Sequence, residues 1–143
     1  MAGIKEFLTN DHRECDENFA QMEEAVASES PEAISKFEGF HEAMMKHFDR
    51  EEKVLFPAFE NKTGMTQGPT QVMRNEHEQM RRMMTQMVEA IGTKDNERFF
   101  GLSETLMLLM QQHNMKEEQM LYTMAEQHLG EQSEQVLEAM QAV

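Results

Sequence analysis

Cysteine occurs once in this 143-residue chain, which excludes an intramolecular disulfide framework and leaves stability to a packed core. Basic residues are scarce: 13 Lys and Arg stand against 27 Asp and Glu, a formal net charge of −14. Phosphates would be repelled by such a surface, so the expected partners include no nucleic acid and no anionic membrane. No apolar run approaches the roughly 18 residues of a membrane span. The opening Met1-Ala2-Gly3-Ile4-Lys5-Glu6 carries no apolar signal segment. The expected setting is therefore cytoplasmic. No stretch alternates apolar and polar residues as a half-buried strand does. What remains is one domain, residues 1–143, whose 39 % hydrophobic residues are concentrated in periodic stripes.

Proline and glycine mark where those stripes stop. Ser30-Pro31-Glu32 reads as a cap with proline at the first helical position, and Gly68-Pro69 opens a helix in the same way. Gly92 and Gly130 fall where helix C-terminal glycines belong, and Asp95 is placed to cap the next helix. The spacing predicts helices at about 9–28, 31–60, 69–91 and 95–129, with a shorter one at about 131–142. Pro57 should kink the second or mark its last turns.

Each long segment carries one stripe with steps of three and four. The first runs Leu8, His12, Cys15, Phe19, Met22, Val26, and the second Phe37, Phe40, Met44, His47, Glu51, Leu55. The third is Met73, His77, Met80, Met84, Met87, Ile91. The fourth is Phe99, Leu102, Leu106, Leu109, His113, Glu117, Met120, Met124. Such stripes with short connections predict an all-α fold, an antiparallel up-down four-helix bundle with a short C-terminal helix. The polar residues within the stripes matter most, because each stripe must face the interior.

They come as a duplicated phrase: His47-Phe-Asp-Arg-Glu51-Glu52-Lys-Val-Leu55-Phe56 and His113-Asn-Met-Lys-Glu117-Glu118-Gln-Met-Leu121-Tyr122. Another His behind an acid precedes each, in Asn10-Asp11-His12 and Asn75-Glu76-His77. A His and a Glu four apart sit one turn above each other on one helix face. Counted from their turns at 1.5 Å per residue, His12 and His47 both lie about 24 Å from the first connection. His77 and His113 agree to roughly one helical turn, so all six groups meet in one layer near the N-terminal end. Two ionised glutamates in an apolar core are costly unless paired or metal-bound, and no Lys or Arg lies on the stripes near that layer. Four imidazoles and two carboxylates are enough for two ions and suit iron, manganese or zinc, iron first. A structural zinc site would use cysteines and four ligands. A ferritin-type di-iron bundle needs paired Glu-x-x-His motifs, and only Glu38-x-x-His41 is present.

The pattern resembles the hemerythrin family in its HHE cation-binding form, from Asp11-His12 through Glu117-Glu118 to Leu121-Tyr122. The resemblance implies two iron ions with an oxo or hydroxo bridge, His12 and His47 on one and His77 and His113 on the other. Glu51 and Glu117 would bridge them. It implies a small-molecule ligand, O2 or otherwise NO or peroxide, bound for oxygen binding, storage or sensing. The alternative is an enzyme-like centre acting on NO or peroxide, or an iron donor for repair of damaged iron centres. One departure stands out. The oxygen carriers place a further His one turn before the third-helix ligand, where this chain has Met73, a soft donor poorly suited to ferric iron.

Other residues carry plainer expectations. Glu52 and Glu118 are rotated about 100° from the bridging positions, in solvated or supporting roles, and Glu76, Met73 or water is left to fill an iron vacancy. His41 and His128 lie off the layer, at the surface. Cys15 is a buried inert core thiol, a redox thiol communicating with the iron being the rarer role. Among sixteen methionines, Met73, Met80, Met84 and Met87 are adaptable core filler, with oxidant scavenging or copper(I) binding as the rarer roles. Tyr122 lies off the ligand stripe, although a phenol near a di-iron centre could pass electrons or donate a hydrogen bond. The last helix, with Val136, Leu137 and Met140, caps the bundle, a homodimer contact being the other reading.

Overall fold

The computed structural model describes residues 3–143, and among these there is helix but no strand. Helix α1 (Ile4–Ala27) is followed by a continuous rod of α2 (Ala33–Arg50), a five-residue π turn (Glu51–Leu55) and α3 (Phe56–Thr63). Helix α4 (Pro69–Gly92) is followed by a matching rod of α5 (Asn96–Lys116), a second π turn (Glu117–Leu121) and α6 (Tyr122–Leu129). A 3-10 turn (Gly130–Gln132) leads into α7 (Ser133–Gln141). Helix α1 packs on α2 and α4 on α5, while α2 against α4 and α1 against α5 close the four-rod bundle. No helix is long and apolar enough to cross a membrane.

The expected elements are present, with shifted ends. Helix α1 begins at Ile4, not near residue 9, because Ile4 and Leu8 extend the buried stripe by another turn. Regular helix begins at Ala33, two residues after Pro31. Ser30 closes the preceding turn, its Oγ accepting from the Glu32 N–H at 3.1 Å. Asp95 caps α5 as expected, accepting from the Arg98 N–H at 3.1 Å. Gly130 has φ +52°, the conformation that favours glycine, but Gly92 is an ordinary last helical residue. The left-handed residue at that corner is Lys94 (φ +57°), mirrored by Glu29 (φ +53°) after α1.

Two apolar clusters sandwich the polar layer. The upper holds Phe19, Phe40, Met44, Phe48, Met80, Met84 and Leu106 among others. The lower holds Ile4, Leu8, Phe56, Phe59, Met73, Leu121 and Met140. Helix α7 closes the lower end, with Val136 and Met140 buried and the Met140 carbonyl accepting from Arg50 Nε at 3.1 Å. Its apolar side chains are thus spent inside the chain.

The fourth stripe needs correction. Ser103 and Met110 face the core, whereas Leu102, Leu109 and Met124 are only half-buried and Met120 is 61 % exposed. Beyond Glu117 the wide π turn consumes an extra residue, so Leu121 and Tyr122 turn inward in place of Met120.

Candidate metal centre

Helical phase brings all six expected residues together. His12, His47, Glu51, His77, His113 and Glu117 are each at most 3 % exposed. Their inner atoms converge: Glu51 Oε1 lies 3.3 Å from His47 Nε2 and 3.0 Å from His77 Nε2. Glu117 Oε1 lies 3.0 Å from His12 Nε2, 3.2 Å from His113 Nε2 and 3.7 Å from His47 Nε2. Each carboxylate therefore faces imidazoles of both His pairs. Two overlapping groups could hold an ion each, Glu51 with His77, His113 and Glu117, and His12 with His47 and Glu117.

The donor set fits a cation on its own terms. His47 Nε2, His77 Nε2, His113 Nε2, Glu51 Oε1 and Glu117 Oε2 are buried without a hydrogen-bond partner. Leaving several such atoms unsatisfied in one layer is expensive, whereas a metal ion satisfies them together. Protons substitute in part. Against the opposing effect of burial, Glu117 raises the His113 pKa to about 9, and Glu51 pulls His47 well above the usual imidazole range. Burial alone would raise Glu117, but His113 and its hydrogen bonds hold it well below the usual carboxylate range.

An outer ring of four carboxylates holds the other face of every imidazole. Asp11 meets His47 Nδ1 at 3.0 Å, Glu52 meets His77 Nδ1 at 2.6 Å, Glu76 meets His113 Nδ1 at 2.7 Å and Glu118 meets His12 Nδ1 at 2.6 Å. A carboxylate on Nδ1 fixes the ring and directs Nε2 inward, the arrangement metal-binding histidines use. Glu76 thus turns outward to His113 and Lys116 and does not fill a coordination vacancy. The outer roles of Asp11 and Glu76 were one part of the site that sequence reasoning missed. The repeated acid–His dipeptide was the available signal, but each acid serves a histidine on the neighbouring helix.

Tyr122 also belongs to the site. Its hydroxyl donates to Glu51 Oε2 at 2.7 Å, with Glu117 Oε1 at 2.9 Å and His12 Nε2 at 3.1 Å. The π turn explains this: the Tyr122 N–H bonds back to the Glu117 carbonyl, placing residues 117 and 122 on one face. Phe56 follows Glu51 by the same five-residue turn. Pro57 does not cause it, because the second π turn forms without proline. Burial and the two nearby carboxylates push the Tyr122 phenol far above its usual range, so it stays a donor.

The surroundings of the two His pairs differ. Phe48 stacks on His77 at 3.9 Å and Phe56 lies near-parallel to it at 5.9 Å, with Arg81 over Phe48. Arg81 also anchors Glu52 at 2.8 Å, and with His77 it brings the Glu52 pKa to about 2 against the opposing effect of burial. At the matching places around His12 stand Asn114, half-buried, and Asp16, whose pKa burial and Glu118 raise. Between α1 and α5 a pocket of about 640 Å³ is lined by Asp16, Glu23, Met110, Asn114 and Glu118. Behind it lies a small chamber of about 10 Å³ against His12, His47 and His113, and Met110 and Asn114 line both. His41 and His128 are exposed, away from this layer. Met73 is buried in the lower cluster.

The family model of the hemerythrin HHE cation-binding domain matches residues 4–125, a span containing all six inner residues, the four outer carboxylates and Tyr122. No curated protein and no solved structure matches the chain.

Proposed function

The chain belongs to the hemerythrin HHE cation-binding family, and from that premise we propose that its single domain holds two iron ions and binds dioxygen or a related small ligand, for binding, storage or sensing. The observation that carries this reading is the set of five inward buried atoms without hydrogen-bond partners, drawn from both His pairs and both glutamates. His12 and His47 serve one ion, His77 and His113 the other, and Glu51 and Glu117 face both. Mixed imidazole and carboxylate donors suit iron, and two carboxylates spanning both positions suit an oxo- or hydroxo-bridged pair. When bound, such a pair supplies reversible one- and two-electron chemistry with dioxygen.

The chain's own residues divide the remaining work. The outer carboxylates fix the imidazole rings, the apolar clusters exclude water above and below, and the Tyr122 hydroxyl holds a proton beside Glu51, Glu117 and His12. A small ligand would approach from the α1–α5 side, where the outer pocket and the chamber against His12, His47 and His113 share Met110 and Asn114, while Phe48 and Phe56 cover His77. A single cysteine and an acidic surface suit a cytoplasmic setting. A second reading, turnover of NO or peroxide, draws support from the Tyr122 proton donor, which a pure carrier does not need.

Anaerobic reduction followed by rapid mixing with O2 separates the readings. A new absorption that disappears on argon purging supports binding. Rapid irreversible oxidation removes it, and steady consumption of NO or peroxide with a reductant replaces it with turnover. Elemental analysis of anaerobically prepared protein should give two irons per chain, and a metal-free protein of equal heat resistance would remove both readings.

A further inference from the structure

Four sulfur-bearing residues, Cys15, Met44, Met80 and Met110, line the chamber behind the His layer, together with His12, His47, His113, Phe48 and Asn114. The three thioethers are 3, 1 and 4 % exposed, whereas Met107, Met115 and Met120 on the outer surface are 37, 56 and 61 % exposed. Bulk oxidants meet the second group first. An oxidant that arises at the His layer meets the first.

We propose that Met44, Met80 and Met110 form an oxidation site that consumes hydrogen peroxide produced at the metal centre, each becoming a sulfoxide before any surface methionine does. The proposal rests on the di-iron reading above, with peroxide arising from the fraction of O2 that the ferrous site reduces rather than releases. Two-electron, two-proton reduction of dioxygen gives hydrogen peroxide, and two ferrous ions in the cage are the source of the electrons. A thioether sulfur then attacks one peroxide oxygen. The S–O bond forms, the O–O bond breaks, and the departing hydroxide takes the proton shed by the transferred oxygen and leaves as water. Sulfur loses two electrons and peroxide gains them.

Cys15 is the poorer acceptor. Its reaction runs through the thiolate, and burial pushes its thiol up to about 12. A thioether has no proton to lose, so its reactivity does not depend on pH. Met110 stands at the wall shared with the outer pocket and is the first expected site, since peroxide leaving by the α1–α5 side must pass it. The imidazoles of His12, His47 and His113 line the same chamber and Tyr122 lies against His12, and these are the groups a stray oxidant would otherwise damage.

The test loads the whole chain with ferrous iron under anaerobic conditions, confirms uptake, and adds a limited amount of O2 with catalase present to remove escaped peroxide. Peptide mass spectrometry then reads the gain of one oxygen atom at each methionine. The expected result is modification of Met110, Met44 and Met80 severalfold ahead of Met107, Met115 and Met120. Metal-free protein given hydrogen peroxide should show the reverse order. Surface methionines oxidised first in the loaded protein, or a chamber-first order in metal-free protein, would overturn the proposal and leave the di-iron reading standing. Failure to take up iron would remove both. Replacing Met44, Met80 and Met110 together by Leu should raise the peroxide released per O2 consumed, measured without catalase, and an unchanged yield counts against the oxidation site.

Discussion

The bundle contains the same design twice, and the two copies differ around their metal ligands. Both long rods place a His four residues before a Glu and then widen into a π turn. Both first helices end in a positive-φ residue with the same pair of backbone hydrogen bonds: Glu29 and Ser30 to Val26 and Ala25, Lys94 and Asp95 to Ile91 and Ala90. Both outer acids pair with a His and a cation three residues beyond it, Asp11 with His47 and Arg50, Glu76 with His113 and Lys116. Side chains one turn away break the symmetry. Phe48, Phe56 and Arg81 cover His77, while His12 has the Tyr122 ring stacked on it at 5.8 Å but Asn114 and Asp16 in place of Phe48 and Arg81, beside a chamber, a hydroxyl and an acidic pocket. Equal ligand sets therefore need not give equal metal positions. On the proposed di-iron reading, the neighbours make one position rigid and let the other exchange its contents.

Removing what the two positions share should have the largest effect. Glu51 faces imidazoles of both pairs, so Glu51→Ala should empty both positions, whereas His77→Ala or His113→Ala should remove about half the metal. Elemental analysis after anaerobic preparation measures this, and full occupancy in Glu51→Ala would refute the shared cage. A smaller effect distinguishes the halves. Replacing an outer carboxylate that orients a metal-bound His typically costs about 10–100-fold in affinity. Glu52→Gln should lie at the upper end, because it also removes one of the two carboxylates paired with Arg81, Glu52 at 2.8 Å, leaving only Glu78. Glu118→Gln should lie at the lower end, since that carboxylate is one-third exposed and water can replace it on His12. Chelator competition gives both numbers, and equal losses would show that the sealed and open sides hold their ions alike.

The bundle and the convergence of the six inner residues were readable from the chain because one rule governs both. An interior stripe that contains ionisable groups must bring them together, and the duplicated phrase set their register. The supporting roles of Glu52 and Glu118 were within reach, but those of Asp11 and Glu76 were not, because these act across helices and a one-dimensional phase does not state which neighbour each will meet. The π turns were not readable either. A five-residue turn leaves no mark in a 3-and-4 pattern, yet it carries Tyr122 into the site and Met120 out of the core. Gly92 was given a role that Lys94 performs two residues later, since a single non-glycine residue with φ +57° is affordable at an exposed corner.

Protons test the open and sealed positions next. In the metal-free protein His113 stays charged up to about pH 9, held there by Glu117 against the effect of burial. Its pKa is raised above the ordinary imidazole value, so the stability it contributes is present in full below about pH 6.5. That contribution is lost as pH rises through about 9. Metal binding needs the neutral ring and must expel the proton, so metal affinity should rise about tenfold per pH unit for each proton displaced between about 6.5 and 9. Isothermal titration in buffers of different ionisation heat should detect proton release near pH 7.5. No release would mean that the histidines are already neutral.

The finest distinction is a single oxygen atom. Tyr122 and Phe56 hold matching places after the two π turns, and only Tyr122 brings a hydroxyl, 2.7 Å from Glu51 and 2.9 Å from Glu117. Tyr122→Phe makes the halves alike at that place without opening a cavity larger than the lost oxygen. In metal-free protein the two carboxylates lose a shared donor in a buried setting, a cost of about 1–3 kcal/mol seen as a melting point a few degrees lower. In loaded protein the ions take over the neutralisation, so most of that difference should vanish. What should remain is a weaker hold on a small anion such as azide, whose charge the phenol would no longer meet beside His12. Azide titration of oxidised wild-type and Tyr122→Phe protein reads this directly. Identical affinities would mean that the hydroxyl serves only the empty cage, and that the open half owes its character to Asn114 and Asp16 alone.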